Sequence, residues 1–259
     1  MSERLNSLFD LTGRVALVTG GAGDIGIAYA RGLAEAGASV ALADLNADAA
    51  QAAAGSLTDA GHTAIGMGVD VTSPESAAAM VATTMDSYGR VDILINNAAI
   101  MRQLPPYGLT TMPLADFDMV MNVNFRGPLV CSQAVFPVMR KQRYGRIIHG
   151  LSAGAFIPGG IYGVSKFALH GLTINMASEF AHFGINVNAI APGLVASESG
   201  YEALPKDSEF RTAIEATIPG KKSAPPEDLV GTLLLLCSPA GDWINGQSIL
   251  VDGGWVTRL

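Results

Sequence analysis

Tyr162 and Lys166 stand four residues apart in the sequence. On a helix, this spacing brings the two side chains onto one face, about one turn from each other. A free tyrosine exchanges protons poorly at neutral pH, because its pKa is about 10. A nearby ammonium group favours the phenolate, so we expect Lys166 to lower the pKa of Tyr162. The pair predicts a general acid/base for an alcohol or a forming alkoxide, although the same spacing also arises by chance on exposed helices.

A glycine-rich turn follows the first apolar run of the chain, residues 14–19. An alanine-rich helical pattern comes next, and strand, turn and helix in this order are the context of a dinucleotide-binding fingerprint. The glycines let the backbone approach a pyrophosphate, and the helix N-terminus adds N–H groups and partial positive charge. A tight turn without a ligand is the alternative. The predicted phosphate-binding residues are Gly20, Gly23, Asp24, Ile25 and Gly26.

An acid, Asp44, ends the second predicted strand, residues 38–43. Asp44 lies about 18 residues after Gly26, close to the spacing of a ribose-binding carboxylate. Such a carboxylate accepts hydrogen bonds from the ribose hydroxyls of NAD and repels the 2′-phosphate of NADP. No arginine or lysine occurs in residues 20–29 or 44–60 to offset that repulsion. The sequence therefore predicts NAD as the cofactor, unless Asp44 only ends the strand.

Strand and helix patterns alternate along the whole chain. Apolar runs predict strands at 14–19, 38–43, 63–69, 91–95, 145–151, 185–190 and 246–251. This alternation predicts an α/β, doubly wound Rossmann fold, with a parallel sheet, helices on both faces and right-handed crossovers. Ligands of such sheets bind at the carboxyl ends of the strands. Polar residues fall at four of these ends, namely Thr19, Asp44, Asp70 and Asn97.

The chain shows no linker or internal repeat, which predicts one domain over residues 1–259. An asparagine and a proline interrupt the helical pattern of 114–143, and we expect a kink there. The segment Ala191-Pro192-Gly193 is expected to end the sixth strand. Residues 194–222 are polar and turn-rich around one weak helical pattern at 208–216, which is typical of a substrate lid.

Composition excludes several classes of protein. The net charge is −7, and the 16 basic residues are spread thinly, so a nucleic-acid partner is not expected. No apolar run approaches the ~20 residues of a membrane span, and residues 1–10 lack the apolar core of a signal peptide. Cys131 and Cys237 lie in apolar helical patterns, which predicts buried free thiols. We expect a cytoplasmic protein without a membrane partner and without a bound metal.

Taken together, the motifs resemble the short-chain dehydrogenase/reductases, in the single-domain branch of similar length. The matching segments are 19–26, 70–71, 96–99, Asn124, Ser152, Tyr162 with Lys166, 192–193 and 252–254. The resemblance implies a seven-stranded parallel sheet and a homotetramer assembled through paired long helices. It also implies reversible hydride transfer between a nicotinamide and a carbinol carbon.

The resemblance assigns a catalytic set of Asn124, Ser152, Tyr162 and Lys166. Tyr162 would be the general acid/base, and Ser152 would hold the substrate oxygen. Lys166 would bind the nicotinamide ribose and lower the pKa of Tyr162, and Asn124 would position a water that links Lys166 to solvent. Further implied cofactor contacts are Leu45, Asp70, Val71, Asn97, Tyr162, Pro192, Gly193, Val195 and Ser197.

The chain departs from the usual pattern of this family at several positions. Asp24 occupies the middle glycine position of the glycine turn, and Ala99 replaces a glycine. Ser152 precedes Tyr162 by ten residues, which is closer than usual, and the usual spacing would fall on His149. We interpret this as a shortened loop after Ser152, with His149 as the alternative catalytic residue. Asp24 tolerates unusual backbone and can cap a helix, so we expect cofactor binding to survive.

The leading hypothesis is an NAD-dependent oxidoreductase that interconverts a secondary alcohol and its ketone. The first alternative is an NADPH-dependent 3-oxoacyl-[acyl-carrier-protein] reductase, which needs a basic docking patch; Arg126, Arg140, Lys141 and Arg143 are the candidates. The second alternative is a non-catalytic NAD-binding module. Loop residues suggest an apolar, moderately bulky substrate, namely Met101, Tyr107, Phe156, Ile157 and Tyr201.

Overall fold

The computed structural model describes residues 7–101, 108–220 and 223–257. Tyr107 of the expected substrate pocket and residues 221–222 of the expected lid lie outside these ranges. The strands are β1 Val15–Thr19, β2 Ser39–Asp44, β3 Ala64–Gly68, β4 Ile93–Asn96, β5 Gly145–Gly150, β6 Ile185–Pro192 and β7 Ser248–Val251. The α-helices are α1 Asp24–Glu35, α2 Ala47–Asp59, α3 Pro74–Tyr88, α4 Leu114–Met121, α5 Gly127–Gln142, α6 Gly160–Phe180, α7 Glu198–Ala203, α8 Glu209–Glu215 and α9 Val230–Cys237.

The seven strands form one parallel sheet in the order β3-β2-β1-β4-β5-β6-β7. The predicted doubly wound fold is therefore confirmed. The order reverses beside β1, where β2 lies on one side and β4 on the other. The carboxyl ends of these strands form the crevice in which such folds bind ligands.

Each face of the sheet carries its own hydrophobic core, because successive strand residues point to opposite faces. One core joins the sheet to α1 and α9 and includes Ala16, Val18, Leu33 and Leu233. The other joins it to α3, α5 and α6 and includes Leu17, Met80, Val135 and Met176. With helices on both faces, β1 is buried along its whole length, and it provides a fixed base for the glycine turn that follows.

The expected kink in residues 114–143 is present as a π-helical turn. This turn, Asn122–Arg126, separates α4 from α5 and carries the buried side chain of Asn124. π-turns inside helices are frequent at functional sites. Here the extra residue in the turn sets the position of Asn124.

The predicted end of the sixth strand is wrong. β6 continues through Pro192, which is paired with Val251 of β7. Pairing with β5 already stops at Ile190. At Pro192, β6 is paired with β7 only, so the missing N–H removes no hydrogen bond to β5 and the proline is tolerated.

The expected lid contains more helix than the sequence analysis predicted. Its weak helical pattern forms α8, and α7 precedes it although no periodic pattern announced it. The Ser197 hydroxyl begins α7 by accepting a hydrogen bond from the Gly200 N–H at 3.1 Å. We use "lid segment" below for the described residues 194–220.

Cys131 and Cys237 are buried free thiols, as predicted. Within the described ranges, no helix combines the length and hydropathy needed to cross a bilayer. The same residues contain no group of three or more His, Cys, Asp or Glu side chains arranged to hold a metal ion.

Candidate active site

Tyr162 and Lys166 lie on the first turns of α6, on the face that looks towards the end of β5. The Lys166 Nζ lies 5.6 Å from the centroid of the Tyr162 ring. Lys166 is 3% exposed, and its ammonium group donates a hydrogen bond to the carbonyl oxygen of Gly150 at 2.6 Å. The helix thus brings the two side chains together as the four-residue spacing predicted.

Ser152 lies just after β5 and next to Tyr162. It begins a short 3-10 turn, Ala153–Ala155, and its Oγ accepts a hydrogen bond from the Gly154 N–H at 3.1 Å. Its side chain also forms a hydrogen bond with the Tyr162 side chain. The short turn therefore accommodates the ten-residue spacing, in agreement with the shortened-loop interpretation.

His149, the alternative catalytic residue, lies inside the protein and is fully buried. Its Nδ1 is 3.0 Å from the Thr173 Oγ1, and that hydroxyl donates to the Leu169 carbonyl at 2.8 Å. Because the hydroxyl hydrogen is committed to Leu169, the His149 Nδ1 must carry the proton of this contact. These contacts give His149 a packing role between β5 and α6.

The expected lowering of the Tyr162 pKa by Lys166 is wrong in this structure. Burial raises the pKa of Tyr162 to about 12, and the hydrogen bond with Ser152 only partly opposes this rise. The removal of water penalises the phenolate more strongly than its surroundings stabilise it. The Tyr162 side chain nevertheless stays half-buried rather than fully enclosed, so substrate can reach it. At neutral pH, Tyr162 is a proton donor.

Burial acts in the opposite direction on the neighbouring cation. It lowers the pKa of Lys166 to about 8, because the charged form of an amine is the one that loses hydration. The hydrogen bond to Gly150 nevertheless keeps the ammonium group in a defined place. Burial and the charge of Lys166 also lower the pKa of His149 to about 3, so His149 stays neutral.

Asn124 links two parts of the site. Its amide accepts a hydrogen bond from the Ile100 N–H at 2.7 Å and donates to the Ile100 carbonyl at 2.9 Å. The same amide donates to the Ser165 hydroxyl at 3.2 Å. Asn124 therefore holds the segment after β4 against α6. Of its two partners, Ser165 immediately precedes Lys166 in the chain, so Asn124 contacts α6 beside this lysine.

The glycine turn is packed so tightly that side chains at two of its glycines would clash with the backbone. A Cβ atom on Gly26 would lie 2.1 Å from the Gly20 carbonyl oxygen. Gly20 has a φ of 62°, and a Cβ there would lie 2.9 Å from the Cα of Ala98. Gly23 caps α1 without offering a side chain to its N–H groups. The turn therefore leaves helix N–H groups available to an anion.

Asp44 lies at the carboxyl end of β2, beside the glycine turn. Its two carboxylate oxygens accept hydrogen bonds from the Ala22 N–H at 3.2 Å and the Asn46 N–H at 3.1 Å. These bonds fix the carboxylate and leave further acceptor capacity on each oxygen. The next residue, Leu45, is 80% exposed at the rim of the crevice.

The glycine turn and the end of β5 meet through Asn97. The Asn97 side chain donates to the Gly20 carbonyl at 3.0 Å. A Cβ on Gly150 would lie 3.5 Å from the Cα of Asn97, which measures how closely the two segments approach. Thr19 supports the same corner, since its Oγ1 accepts from the N–H groups of Asn97 and Ala98 at 3.2 and 3.3 Å. Thr19 was predicted only as a polar strand end, so its support of this corner is seen only in the structure.

The other expected cofactor contacts lie around this crevice. Some of them are apolar, and the polar groups of others bind within the chain. Asp70 binds the Thr72 N–H and hydroxyl at 2.9 and 2.7 Å, so its carboxylate closes its own turn. Val71 is buried against Gly127. Pro192 ends β6, and Gly193 donates to the Val251 carbonyl at 3.0 Å. Val195 and Ser197 are buried where the lid segment begins.

Known proteins of similar sequence show the family of this chain. The model of a family described as enoyl-(acyl carrier protein) reductase matches residues 20–256. An uncharacterised oxidoreductase of Mycobacterium tuberculosis is 42% identical, over 95% of this chain and 98% of its own length. The 2-dehydro-3-deoxy-D-gluconate 5-dehydrogenase of Dickeya dadantii is 35% identical, over 96% of this chain and 98% of its own length. The chain belongs to the short-chain dehydrogenase/reductase family.

A solved short-chain dehydrogenase/reductase shows the same fold in detail. The gluconate 5-dehydrogenase from Burkholderia cenocepacia, in complex with NADP and tartrate, has a TM-score of 0.91 and 33% identity. The match covers 98% of this chain and 100% of that structure. Members of the family are oxidoreductases that bind a nicotinamide cofactor.

The residues of this short-chain dehydrogenase/reductase fit such a cofactor. The absence of Cβ atoms at Gly20 and Gly26 lets the turn fold tightly against Ala98 and against itself, which places the N-terminus of α1 at the crevice. The N-terminus of α1 has no side-chain cap, so its N–H groups can donate hydrogen bonds to a phosphate. The fixed carboxylate of Asp44 can accept hydrogen bonds from ribose hydroxyls. When bound, a nicotinamide cofactor supplies or accepts the hydride of the reaction.

Proposed function

We propose that this oxidoreductase interconverts a secondary alcohol and its ketone with NAD(H). The observation that carries the proposal is the convergence of Ser152, Tyr162 and Lys166 at the end of β5, next to the glycine turn. A proton donor, an oxygen-binding hydroxyl and a cation at one crevice are what carbonyl reduction requires of a protein.

Tyr162 acts as the general acid in the direction of reduction. Its raised pKa keeps the proton on the phenol, from which it is donated to the oxygen of the carbonyl group. The Ser152 hydroxyl holds the same oxygen and stabilises the negative charge that develops on it. In the direction of oxidation the phenolate takes the proton of the alcohol, so the two directions differ in their pH dependence.

Lys166 and Asn124 support this proton donor. The ammonium group of Lys166 lies near the Tyr162 ring, and its charge stabilises a phenolate once the proton has left. Asn124 maintains the position of α6 relative to the segment after β4 through Ser165 and Ile100. Asn124 is also proposed to position a water that links Lys166 to solvent.

NAD is the proposed cofactor, although the related Burkholderia cenocepacia structure is in complex with NADP. The Asp44 carboxylate at the end of β2 supports NAD, since it would face a 2′-phosphate with like charge. The exposed side chain that follows it is Leu45, which offers no compensating positive charge. The remaining proposed cofactor contacts are Gly20, Gly23, Asp24, Ile25, Gly26, Leu45, Asp70, Val71, Asn97, Pro192, Gly193, Val195 and Ser197.

The acyl-carrier-protein reductase alternative receives less support. Arg126, one of the four candidates for a basic docking patch, donates to the Thr72 carbonyl at 2.7 Å. The guanidinium of Arg140 lies 5.1 Å from the centroid of the Phe183 ring. Both cations therefore have partners within the chain. The substrate is more simply a small molecule that enters between the lid segment and the end of β5.

Two of the residues expected to line the substrate pocket, Phe156 and Tyr201, have aromatic contacts within the chain. Phe156 packs its ring edge-on against His170 and Phe167, at centroid distances of 5.5 and 6.4 Å. Tyr201 lies between two cations, Lys206 and Arg211, at 4.2 and 4.7 Å from its ring centroid. These contacts stabilise the pocket walls. The proposed substrate is a secondary alcohol or ketone with an apolar part, and the sugar acids of the named relatives belong in the same screen.

A homotetramer in the cytoplasm is also proposed. Apolar side chains stay exposed on one face of α6, namely Val164, Phe167 and Ile174, and α4 beside it exposes Leu114 and Phe117. Such a patch marks an interaction surface, and pairing of α6 with a second copy would cover it. The buried free thiols are compatible with a reducing compartment.

Comparison of the two cofactors is the direct test of the proposed function. The purified protein should oxidise a member of a secondary-alcohol panel with NAD⁺, observed as NADH absorbance, and should prefer NAD⁺ to NADP⁺. A strong preference for NADPH together with reduction of a 3-oxoacyl thioester would favour the reductase alternative. Absence of turnover with both cofactors across the panel, despite NAD binding, would favour the non-catalytic module.

A further inference from the structure

A hydrogen bond joins the glycine turn to the lid segment. The Glu198 N–H donates to the Asp24 Oδ2 at 2.6 Å, across 174 residues of sequence. Asp24 is the first residue of α1, and Glu198 is the first residue of α7. The contact therefore connects the N-termini of two helices that border the same crevice.

The contact satisfies a backbone group that α7 cannot satisfy by itself. The first N–H groups of a helix have no acceptor in the preceding turn. Ser197 provides one acceptor from within the segment, to the Gly200 N–H, and Asp24 provides a second from another part of the chain. A helix of six residues is not stable in isolation, so it depends on such contacts.

The base of the lid segment is fixed elsewhere. Val195 forms a parallel bridge with Ala224, and the Ala196 N–H donates to the Ala224 carbonyl at 2.7 Å. Arg211 organises its interior by donating to the Leu204 carbonyl at 3.0 Å and to Glu215 at 2.8 Å. These contacts join the beginning of the lid segment to Ala224 and join its two helical parts to each other. The Asp24 contact instead ties its beginning to the glycine turn.

The hydrogen bond also explains how a carboxylate is accommodated at this position. A free carboxylate at the phosphate-binding end of α1 would repel a pyrophosphate. Here one oxygen is directed to the Glu198 N–H, and a bond from an N–H to an ionised acceptor is stronger than a neutral one. The carboxylate keeps its negative charge, and the bond to the lid segment stabilises it in one orientation.

We propose that Asp24 is a positioning residue that holds the lid segment against the glycine turn and thereby slows dissociation of the dinucleotide. The inference rests on the proposed placement of the cofactor at the glycine turn. Release of a dinucleotide lying between α1 and residues 195–198 requires these two segments to separate. Separation breaks the Asp24–Glu198 hydrogen bond, which adds to the barrier for release.

Two variants of Asp24 separate the hydrogen bond from the charge. Asp24→Ala removes the acceptor, whereas Asp24→Asn keeps a side-chain oxygen that can accept from the Glu198 N–H. Glu75→Ala is the matched control, because Glu75 is also an exposed acid in the first turn of a helix and lies on α3. All three variants are compared with the unmodified chain.

Two measurements report on the contact. Hydrogen exchange of the amides of residues 198–203 in the cofactor-free protein measures the attachment of the lid segment. Stopped-flow fluorescence measures the dissociation rate of NADH. We expect Asp24→Ala to increase both rates about tenfold, as loss of a charge-assisted hydrogen bond predicts. Asp24→Asn should lie between, and Glu75→Ala should match the unmodified chain in both.

The outcomes also distinguish this inference from the proposed function. Unchanged exchange and unchanged NADH dissociation in Asp24→Ala would overturn the inference while alcohol oxidation by the unmodified chain continued. Faster exchange without faster NADH dissociation would overturn the role in cofactor retention and leave a structural contact. Failure of the unmodified chain to turn over any alcohol, with the predicted rate changes present, would count against the proposed function alone.

Discussion

The Lys166 ammonium group donates to the Gly150 carbonyl oxygen at 2.6 Å from a site that is 3% exposed. Gly150 is the last residue of β5, so the cation is fixed at the carboxyl end of the central part of the sheet. Burial lowers the pKa of Lys166 to about 8. The position of this amine is therefore maintained at a cost in stability that depends on pH.

The stability contribution of Lys166 is expected to change between about pH 8 and the ordinary lysine value of 10.5. The unfolded chain keeps its proton over this range while the folded chain releases it, so stability should rise with pH. Relative to Lys166→Met, the unmodified chain should gain up to roughly 3 kcal/mol of unfolding free energy across the window. Urea titrations from pH 7 to pH 10.5 measure the difference between the two proteins.

The exposed lysine Lys206 provides the control for that experiment. Lys206→Met removes the same charge from the surface of the lid segment, where water already solvates it. The difference between the pH curves of Lys166→Met and Lys206→Met isolates the contribution of the buried amine. Parallel pH curves for Lys166→Met and Lys206→Met would contradict the predicted desolvation of Lys166.

His149 should make the fold sensitive to acid. Burial, aided by the charge of Lys166, lowers its pKa to about 3 from the ordinary value of 6.5. The unfolded chain binds a proton below pH 6.5 and the folded chain does not, so the stability contribution present at neutral pH is lost as pH falls. His149→Asn should flatten this dependence between pH 6.5 and pH 4, as measured by urea unfolding. His182→Asn, at an exposed position, is the control variant, and equal slopes in both variants would contradict the prediction.

Asp44 should set the preference between the two dinucleotides. Asp44→Asn removes the negative charge while keeping an oxygen for the Ala22 N–H, so repulsion of a 2′-phosphate should fall. The ratio of kcat/KM for NADH over NADPH should decrease about tenfold, which corresponds to about 1.4 kcal/mol. Asp59→Asn at the far end of α2 changes the net charge equally and should preserve the ratio. An unchanged ratio in Asp44→Asn would show that the carboxylate does not discriminate between NADH and NADPH.

Local patterns predicted most of the fold and the parts of the site that lie close together in sequence. Buried strands and amphipathic helices have strong periodicities, which is why the alternation and the sheet were predicted correctly. The helical spacing placed Tyr162 beside Lys166, and the strand end placed Asp44 beside the glycine turn. In each of these cases the deciding signal lies within one strand-helix unit.

Features that depend on burial or on distant parts of the chain were not predictable. The four-residue spacing suggested a lowered Tyr162 pKa, but the loss of hydration on burial raises this pKa to about 12. The continuation of β6 through Pro192 depends on which neighbouring strand is absent at that point. The contact between Asp24 and Glu198 spans 174 residues, and no periodic pattern relates the two positions.

The central claim is that the Tyr162 hydroxyl transfers the proton of the reaction. Tyr162→Phe keeps the aromatic ring and removes the hydroxyl, so the α6 contacts and the cofactor crevice should be preserved. NADH formation from NAD⁺ and a turned-over secondary alcohol should fall at least about a hundredfold, the usual scale of general acid-base catalysis. NADH binding, measured by fluorescence titration, should stay within about twofold of the unmodified chain, since the aromatic ring, Lys166 and the glycine turn are kept. A Tyr162→Phe variant that binds NADH normally and oxidises the alcohol at the full rate would contradict this account.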